Sequence, residues 1–276
     1  NTTTYATSEN GTAITNQLSS ADPNLYEGIE ETVTWLSRSD WNGTLPTETV
    51  KLALTELLKK DLKDIRYDPA DYESVDMPTL GAKNGVKLYD MIGLDYNDPK
   101  WDELLDQMTF DEMNSLIGDA FHWTMPVKSV EAPGTRDENG PQGLTASLLG
   151  NDKSQLTATA FTSEDVMAAT FNTEIMTEIG KVIGSLYGPG NNIHRTPYGG
   201  RNFEYYSEDG FLSGMMSAYE VKAIQDKGVH VVMKHFALND CEQDRIGLGV
   251  WLNEQAAREV YLKAFQAPVE VGNANG

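Results

Sequence analysis

Residues 188–209 read GPGNNIHRTPYGGRNFEYYSED, and residues 230–236 read HVVMKHF. The second stretch predicts a short buried strand that ends in the polar pair Lys234-His235. The first contains a single aliphatic side chain, Ile193, and has no periodicity. A long loop of this kind is usually functional or disordered, and this one is too rich in aromatic residues for disorder. We therefore expect residues 188–209 to form a functional site.

Helical patterns flank both stretches. Asn172 and Asn253 are each predicted to cap a helix, the second of which should close at Pro268. Another helix is expected over residues 210–227, ending at Gly228. Strand followed by helix, repeated, favours an α/β fold with a parallel sheet. After residue 136 we place about four such units, whereas an eight-fold barrel needs eight. The fold is therefore either a smaller open sheet or part of a barrel.

The first third of the chain has weaker patterns. Alternation predicts a strand over residues 32–36, followed by a loop over 37–46. Apolar spacing predicts an amphipathic helix over residues 47–60. Residues 61–97 are acidic and irregular, which suggests a connector between two bodies. Two helix starts follow, one at Asp98-Pro99 and one at a capping box formed by Thr109 and Glu112.

Composition excludes several classes of function. The 276 residues are 39% hydrophobic and carry 42 Asp and Glu against 21 Lys and Arg, for a formal charge of −21. That field would repel nucleic acid. The sequence contains no run of 18 apolar residues, so no membrane segment is predicted. A single cysteine, Cys241, rules out an internal disulfide or a cysteine-based zinc site. The compartment is left open.

Other site types lack support in the sequence. No phosphate-binding glycine motif, HExxH motif, calcium loop or GxSxG elbow is present. We predict neither a metal site nor a cofactor.

Two sets of polar residues could bind a small ligand. Lys234 and His235 end a predicted strand, which is where ligands bind in parallel α/β folds. In the long loop, Arg201, Asn202 and Glu204 lie beside Tyr205 and Tyr206. Together they offer hydrogen-bonding groups and aromatic faces suited to a polyol such as a pyranose. The alternative is an internal Arg–Glu network that only holds the loop, and Arg195 is the first candidate for that role. A third set, Asp137-Glu138-Asn139, precedes a Gly-Pro turn.

Three ordered motifs, NIHRTPYGGRNFEYYSED, KHFALNDCEQDR and AAREVYLKAFQAPV, resemble the β-glucosidase branch of glycoside hydrolase family 3. The resemblance covers about residues 98–276. It implies an incomplete (β/α)8 barrel over 98–276, preceded by a helix and acidic linker in 46–97. Residues 1–45 would be either the tail of an α/β sandwich domain or a lead segment. A sandwich domain before the barrel is the family's reversed domain order. The substrate would be a β-glucoside or oligosaccharide, and the remainder of the enzyme would be the partner.

By the same resemblance, Lys234, His235 and Arg201 look like groups that bind the terminal sugar. Asn139 stands where the family usually has an aspartate, and Asp137 is a possible substitute. Arg195, Asn202 and Glu204 would support them. A second departure is length, because the helix end and barrel strand expected between Gly184 and Gly188 are replaced by three residues.

The family hydrolyses terminal β-glucosides by a retaining double displacement, with an Asp nucleophile and a Glu acid/base. The resemblance places the nucleophile on a later barrel strand and the acid/base in the sandwich domain, so we expect no catalytic residue in this chain. Three alternatives stay open: a non-catalytic carbohydrate-binding or degenerate barrel module, β-xylosidase specificity, and an unrelated α/β binding protein.

Overall fold

The computed structural model describes part of the chain. The residues that it describes are 4–7, 10–15, 17–18, 22, 24, 55–63, 76–119, 123–136, 140, 142–143, 160–183, 189–243, 245 and 248–276. They fall into two compact units. Unit 1 comprises Asn1–Arg66, Gly140–Leu144 and Gln155–Gly276, and unit 2 comprises Tyr67–Asn139 and Thr145–Ser154. The division at residues 45 and 97 stays a prediction, and the strand and loop expected over 32–46 lie outside the described residues.

Unit 2 is built on two short helices, α2 (Lys100–Leu105) and α3 (Phe110–Gly118). The antiparallel strands β3 (Trp123–Thr124) and β4 (Thr135–Arg136) follow them. The buried core consists of Val86, Met91, Leu104, Met108, Val127 and Val130. Val86 and Met91 of this core belong to residues 61–97, the acidic segment that the sequence predicts to be a connector.

The predicted start of α3 is confirmed, whereas α2 starts one residue later than predicted, with Pro99 as its N-cap and Lys100 as its first residue. Asp98 Oδ1 accepts a hydrogen bond from the Lys100 N–H at 2.9 Å. Thr109 and Glu112 form the capping box, with bonds of 3.2 and 3.0 Å between each side chain and the other residue's backbone N–H. Burial opposes ionisation of Glu112, but bonds from the N–H groups of Thr109 and Ser129 lower its pKa to about 2. This stabilisation is present above about pH 4.5 and is lost as the pH falls towards 2.

Unit 1 contains most of the helices and the three sequence motifs. Its described elements are β1 (Thr4–Thr7), β2 (Ala13–Thr15), α1 (Glu56–Lys63), α4 (Glu164–Ala168), α5 (Thr173–Ile183), α6 (Gly210–Gln225), α7 (Glu254–Ala256), a π-helical turn (Ala257–Tyr261) and α8 (Lys263–Glu270). β1 and β2 pair antiparallel. α6 packs against both α5 and α8, and most of its residues are buried.

The helix caps of unit 1 are as predicted. Asn172 Oδ1 accepts from the Glu174 N–H at 2.9 Å, and Asn253 Oδ1 accepts from the Ala256 N–H at 2.8 Å. Helix α6 ends at Gln225, and Gly228 follows with φ +81, a conformation that favours glycine.

The prediction that Pro268 closes its helix is wrong. Pro268 lies inside α8, which continues to Glu270. A proline within a helix lacks the N–H that would bind the carbonyl four residues earlier, here that of Ala264. In this structure the Ala264 oxygen accepts a hydrogen bond from Asn191 Nδ2 at 2.9 Å instead. Because a side chain from another segment satisfies the carbonyl, the helix can pass through the proline.

The predicted strand over residues 230–236 is wrong in extent. Lys234 forms one isolated parallel bridge with Gly190, and Phe236 already lies in a turn. The bridge consists of the Asn191 N–H donating to the Lys234 oxygen at 2.6 Å and the Lys234 N–H donating to the Pro189 oxygen at 3.0 Å. The run makes too few successive bridges for a ladder, although Val231 is fully buried as a strand residue would be.

The described residues also contain no (β/α)8 barrel. Their sheets are two antiparallel pairs, with isolated parallel bridges at Gly190–Lys234 and Ile193–Ser207. These bridges place residues 190–193 beside both 205–207 and 233–234, all running in the same direction. The parallel orientation of neighbouring segments is therefore present without a continuous sheet. No helix among the described residues has the length and apolar character needed to cross a bilayer.

Gly190 is predicted to be intolerant of a side chain. A Cβ there would overlap the Glu204 carbonyl oxygen and lie 2.9 Å from Glu164 Oε2. We expect Gly190→Ala to lower the free energy of unfolding by about 1–3 kcal/mol through overpacking, measured by urea denaturation. The matched control is Gly200→Ala, whose Cβ would approach no atom closer than 3.6 Å. Equal stability of the two variants would contradict the packing at Gly190.

Candidate functional site

A buried carboxylate, that of Glu204, lies at the centre of the candidate site. Its side chain is 3% exposed. Glu204 is the last residue of a 3-10 turn, Asn202–Glu204, which immediately precedes the segment that bridges to Ile193 through Ser207. Glu204 Oε1 accepts a hydrogen bond from Arg201 Nε, and Glu204 Oε2 pairs with Lys234 Nζ at 2.8 Å. The side chains of Arg201 and Lys234 are 24% and 15% exposed. Two cations therefore share one buried carboxylate and keep part of their surface open.

A second line of hydrogen bonds runs beside this cluster. Tyr205 OH lies 2.9 Å from His235 Nδ1, and Asn239 Nδ2 donates to the same Tyr205 oxygen at 2.8 Å. Asn239 Nδ2 also donates to Glu242 Oε1 at 2.6 Å. Glu242 in turn contacts Arg201 at 3.7 Å and Arg245 at 2.7 Å. The two sets thus meet at Arg201.

The electrostatics of the site keep the imidazole neutral and the carboxylate of Glu242 charged. Burial, followed by the positive charges of Arg201 and Lys234, lowers the pKa of His235 to about 4. Burial raises the pKa of the Tyr205 phenol to about 12, so the phenol keeps its proton. Burial opposes ionisation of Glu242, but the hydrogen bond from Asn239 and the nearby arginines lower its pKa.

The structure brings together several of the sequence-predicted site residues. Arg201 and Lys234 contact Glu204, and His235 contacts the next residue, Tyr205. The adjacent residues Lys234 and His235 thus both reach the segment Glu204–Tyr205. Glu204, predicted as a supporting residue, is the centre of the group. The peptide bond between Lys234 and His235 is cis.

Two other predicted supporting residues act elsewhere in the loop. The Asn202 backbone oxygen accepts a hydrogen bond from His194 Nε2 at 2.8 Å, and the Asn202 side chain donates to the Thr196 oxygen at 2.7 Å. Arg195 lies over the ring of Tyr261 at 5.9 Å. The loop-holding role of Arg195 in an Arg–Glu network stays a prediction. Asp137 and Asn139 lie outside the described residues.

Sequence reasoning missed Asn239 and Glu242 as site residues. Both lie in the motif KHFALNDCEQDR, but no role was assigned to them. An available signal was the presence of an amide and a carboxylate within eight residues of Lys234, in a segment without apolar periodicity.

The arrangement is suited to an uncharged polar ligand. Arg201 and Lys234 are cationic donors, and His235 is a neutral ring with one donor nitrogen and one acceptor nitrogen. Hydrogen bonds to charged groups are the stronger ones, so a hydroxyl bound here would be held by charge-assisted bonds. Within the described ranges, no three His, Cys, Asp or Glu residues form a group that could hold a metal ion.

A groove of about 440 Å³ is lined by unit 2 residues only, namely Tyr96, Asn97, Asp98, Trp101, Asp102 and Leu105.

Known proteins similar to this chain are β-glucosidases. A probable β-glucosidase I of Aspergillus flavus is 32% identical over 180 residues, which is 62% of this chain and 21% of that protein. The structure of the Kluyveromyces marxianus β-glucosidase in complex with glucose has a TM-score of 0.57 and 29% identity, over 63% of this chain and 22% of that one.

A third similar protein carries the family designation. It is the GH3 β-glucosidase of Bifidobacterium adolescentis, with a TM-score of 0.50 and 32% identity over 60% of this chain and 25% of that one. No family model matches the chain. The chain spans about a fifth of the length of the curated relative. Over about 60% of its residues, this chain is similar to the β-glucosidases of glycoside hydrolase family 3, and the resemblance noted in its motifs is confirmed.

Proposed function

We propose that this chain supplies the sugar-binding part of a β-glucosidase that removes terminal non-reducing β-D-glucosyl residues. One observation carries the proposal. Arg201, Lys234 and His235, which match the family motifs, converge on Glu204 and Tyr205 within hydrogen-bonding distance. The similarity to a β-glucosidase determined with glucose supports the choice of sugar.

Each residue has a distinct role in this proposal. Lys234 and Arg201 donate charged hydrogen bonds to hydroxyls of the terminal sugar, and His235 contributes a neutral ring nitrogen. Glu204 holds both cations in place and balances their charge in a buried setting. The resemblance also assigns sugar binding to Asn139 and Asp137, which lie outside the described residues. Positioning groups of this kind act in the transition state as well as in the ground state, because they hold the reacting carbon in place.

The proposed context is a (β/α)8 barrel to which this chain contributes part of the strand ends. Hydrolysis would follow a retaining double displacement, which requires two carboxyl groups about 5 Å apart. We propose that neither Glu204 nor Glu242 is one of these two groups. The arginines beside Glu242 lower its pKa, which favours the charged form and disfavours a general-acid role. Both carboxylate oxygens of the buried Glu204 are bonded to cations, one to Arg201 and the other to Lys234.

A non-catalytic carbohydrate-binding module is the second candidate. Its support is Asn139, which stands where the family usually has an aspartate and cannot form a charged hydrogen bond to a hydroxyl. β-Xylosidase specificity is a third possibility within the same site. The module would bind the sugar without turning it over, so binding and hydrolysis have to be measured separately.

Binding is tested by titrating the full chain with D-glucose and following backbone amide signals by NMR. We expect glucose-dependent shifts at Arg201 and His235. Charged hydrogen bonds contribute about 1.5–3 kcal/mol, so Lys234→Gln should weaken glucose binding about 10- to 100-fold.

Lys222→Gln is the matched control for this measurement, because Lys222 forms an exposed ion pair with Asp226 on α6. The affinity of the control should equal that of the unaltered chain. The assignment is refuted if Lys234→Gln and Lys222→Gln bind glucose equally well, or if no signal near His235 responds to glucose.

Hydrolysis of an aryl β-glucoside tests where the catalytic carboxylates lie. We expect no turnover by this chain alone, because we place the nucleophile and the acid/base outside it. The variant to include is Asp40→Asn, since Ser39-Asp40-Trp41 is a carboxylate-containing segment outside the described residues. Turnover by the unaltered chain that Asp40→Asn abolishes would overturn this part of the proposal.

A further inference from the structure

A chain of hydrogen bonds runs from Glu242 through Asn239 and Tyr205 to His235, and each bond has a definite donor and acceptor. The Asn239 amide nitrogen lies 2.6 Å from Glu242 Oε1. A carboxylate oxygen can only accept, so the group of Asn239 that faces it must be the NH2 group rather than the carbonyl oxygen. That NH2 group has a second hydrogen, and Tyr205 OH lies 2.8 Å from the same nitrogen. The Tyr205 oxygen is therefore an acceptor from Asn239.

The direction continues to the imidazole. With its oxygen accepting from Asn239, the Tyr205 hydroxyl still has its own proton to donate, and His235 Nδ1 lies 2.9 Å away. A nitrogen that accepts a hydrogen bond carries no proton, so in the neutral ring the proton is on Nε2.

We propose that Tyr205 is a positioning residue that fixes His235 in the tautomer protonated at Nε2, so that the ring presents an N–H donor to a sugar hydroxyl. The sugar part of this statement rests on the proposed function. The tautomer itself depends only on the hydrogen bonds from Glu242 to His235.

The packing around both rings supports this role. Tyr205 is 1% exposed, and its ring meets that of His235 edge to face at 5.9 Å and 78°. The Tyr205 ring therefore cannot turn without moving buried neighbours, and the half-buried His235 ring packs against it. Burial raises the pKa of Tyr205 and lowers that of His235, so around neutral pH the phenol holds its proton and the imidazole has only one.

The test is a long-range proton–nitrogen NMR spectrum of the full chain with 15N-labelled histidine. The sequence has four histidines, and His235→Gln assigns the signal of His235 by its loss. We expect a protonated Nε2 and a hydrogen-bonded, unprotonated Nδ1. In Tyr205→Phe the Nδ1 signal should lose its hydrogen-bonded shift, and the midpoint of the His235 titration should rise, because a bond that favours the neutral ring has been removed.

Tyr198→Phe is the matched control, since Tyr198 is in the same loop and 92% exposed. Its His235 spectrum and titration should equal those of the unaltered chain. A proton on Nδ1 in the unaltered chain would overturn the inference even if Tyr205→Phe failed to fold. An unchanged His235 spectrum in a folded Tyr205→Phe variant would overturn it as well.

The two proposals can fail separately. If His235 has the predicted tautomer but the chain shows no glucose-dependent shift, the tautomer assignment stands and the proposed function fails. If glucose binds and the proton is on Nδ1, the function stands and the role given to Tyr205 is wrong.

Discussion

The candidate site depends on one ionic constraint, the burial of the Glu204 carboxylate between Arg201 and Lys234. A buried carboxylate is unfavourable unless it is paired and hydrogen-bonded, so its position fixes that of both cations. Breaking such a pair leaves an uncompensated charge, whereas the intact pair holds two donors in a defined geometry. The cost of burial is thereby offset by pairing, and the side chains of Arg201 and Lys234 keep part of their surface exposed.

The backbone around Glu204 is shaped by its neighbours. Gly190 lets the chain pass so close to the Glu204 carbonyl that any side chain would collide with it. The same segment supplies Asn191, whose amide satisfies the Ala264 carbonyl freed by Pro268 and accepts from Ser217 Oγ at 3.0 Å. Residues 190–193 are thus bonded to α8 on one side and to the Lys234 segment on the other. The site is fixed by these long-range contacts rather than by a regular sheet.

Local signals predicted the helix ends well, and long-range contacts explain where prediction failed. Thr109, Asn172 and Asn253 cap their helices as expected, because a cap depends on residues only two or three positions away. Pro268 does not end its helix, because Asn191, 73 residues before Ala264, supplies the donor that the Ala264 carbonyl would otherwise lack. Residues 230–236 have strand-like composition, but a strand also needs partners, and the sequence does not specify where these lie.

The sequence named several residues of the candidate site but not their arrangement. Arg201, Lys234 and His235 could be identified from motif and residue type, whereas the central place of Glu204 required coordinates. Asn239 and Glu242 were missed because a hydrogen-bond chain through Tyr205 has no periodic signature. Asp137 and Asn139 lie outside the described residues, so their place in the site stays a prediction.

The most direct measurement is the glucose affinity of Glu204→Gln, a change that removes the charge but keeps the size of the side chain. If Glu204 organises the site, this variant should bind glucose at least about 10-fold more weakly, with the loss of affinity accompanied by displaced amide signals at Arg201 and Lys234. Unchanged affinity and unchanged signals at these two residues would contradict the account.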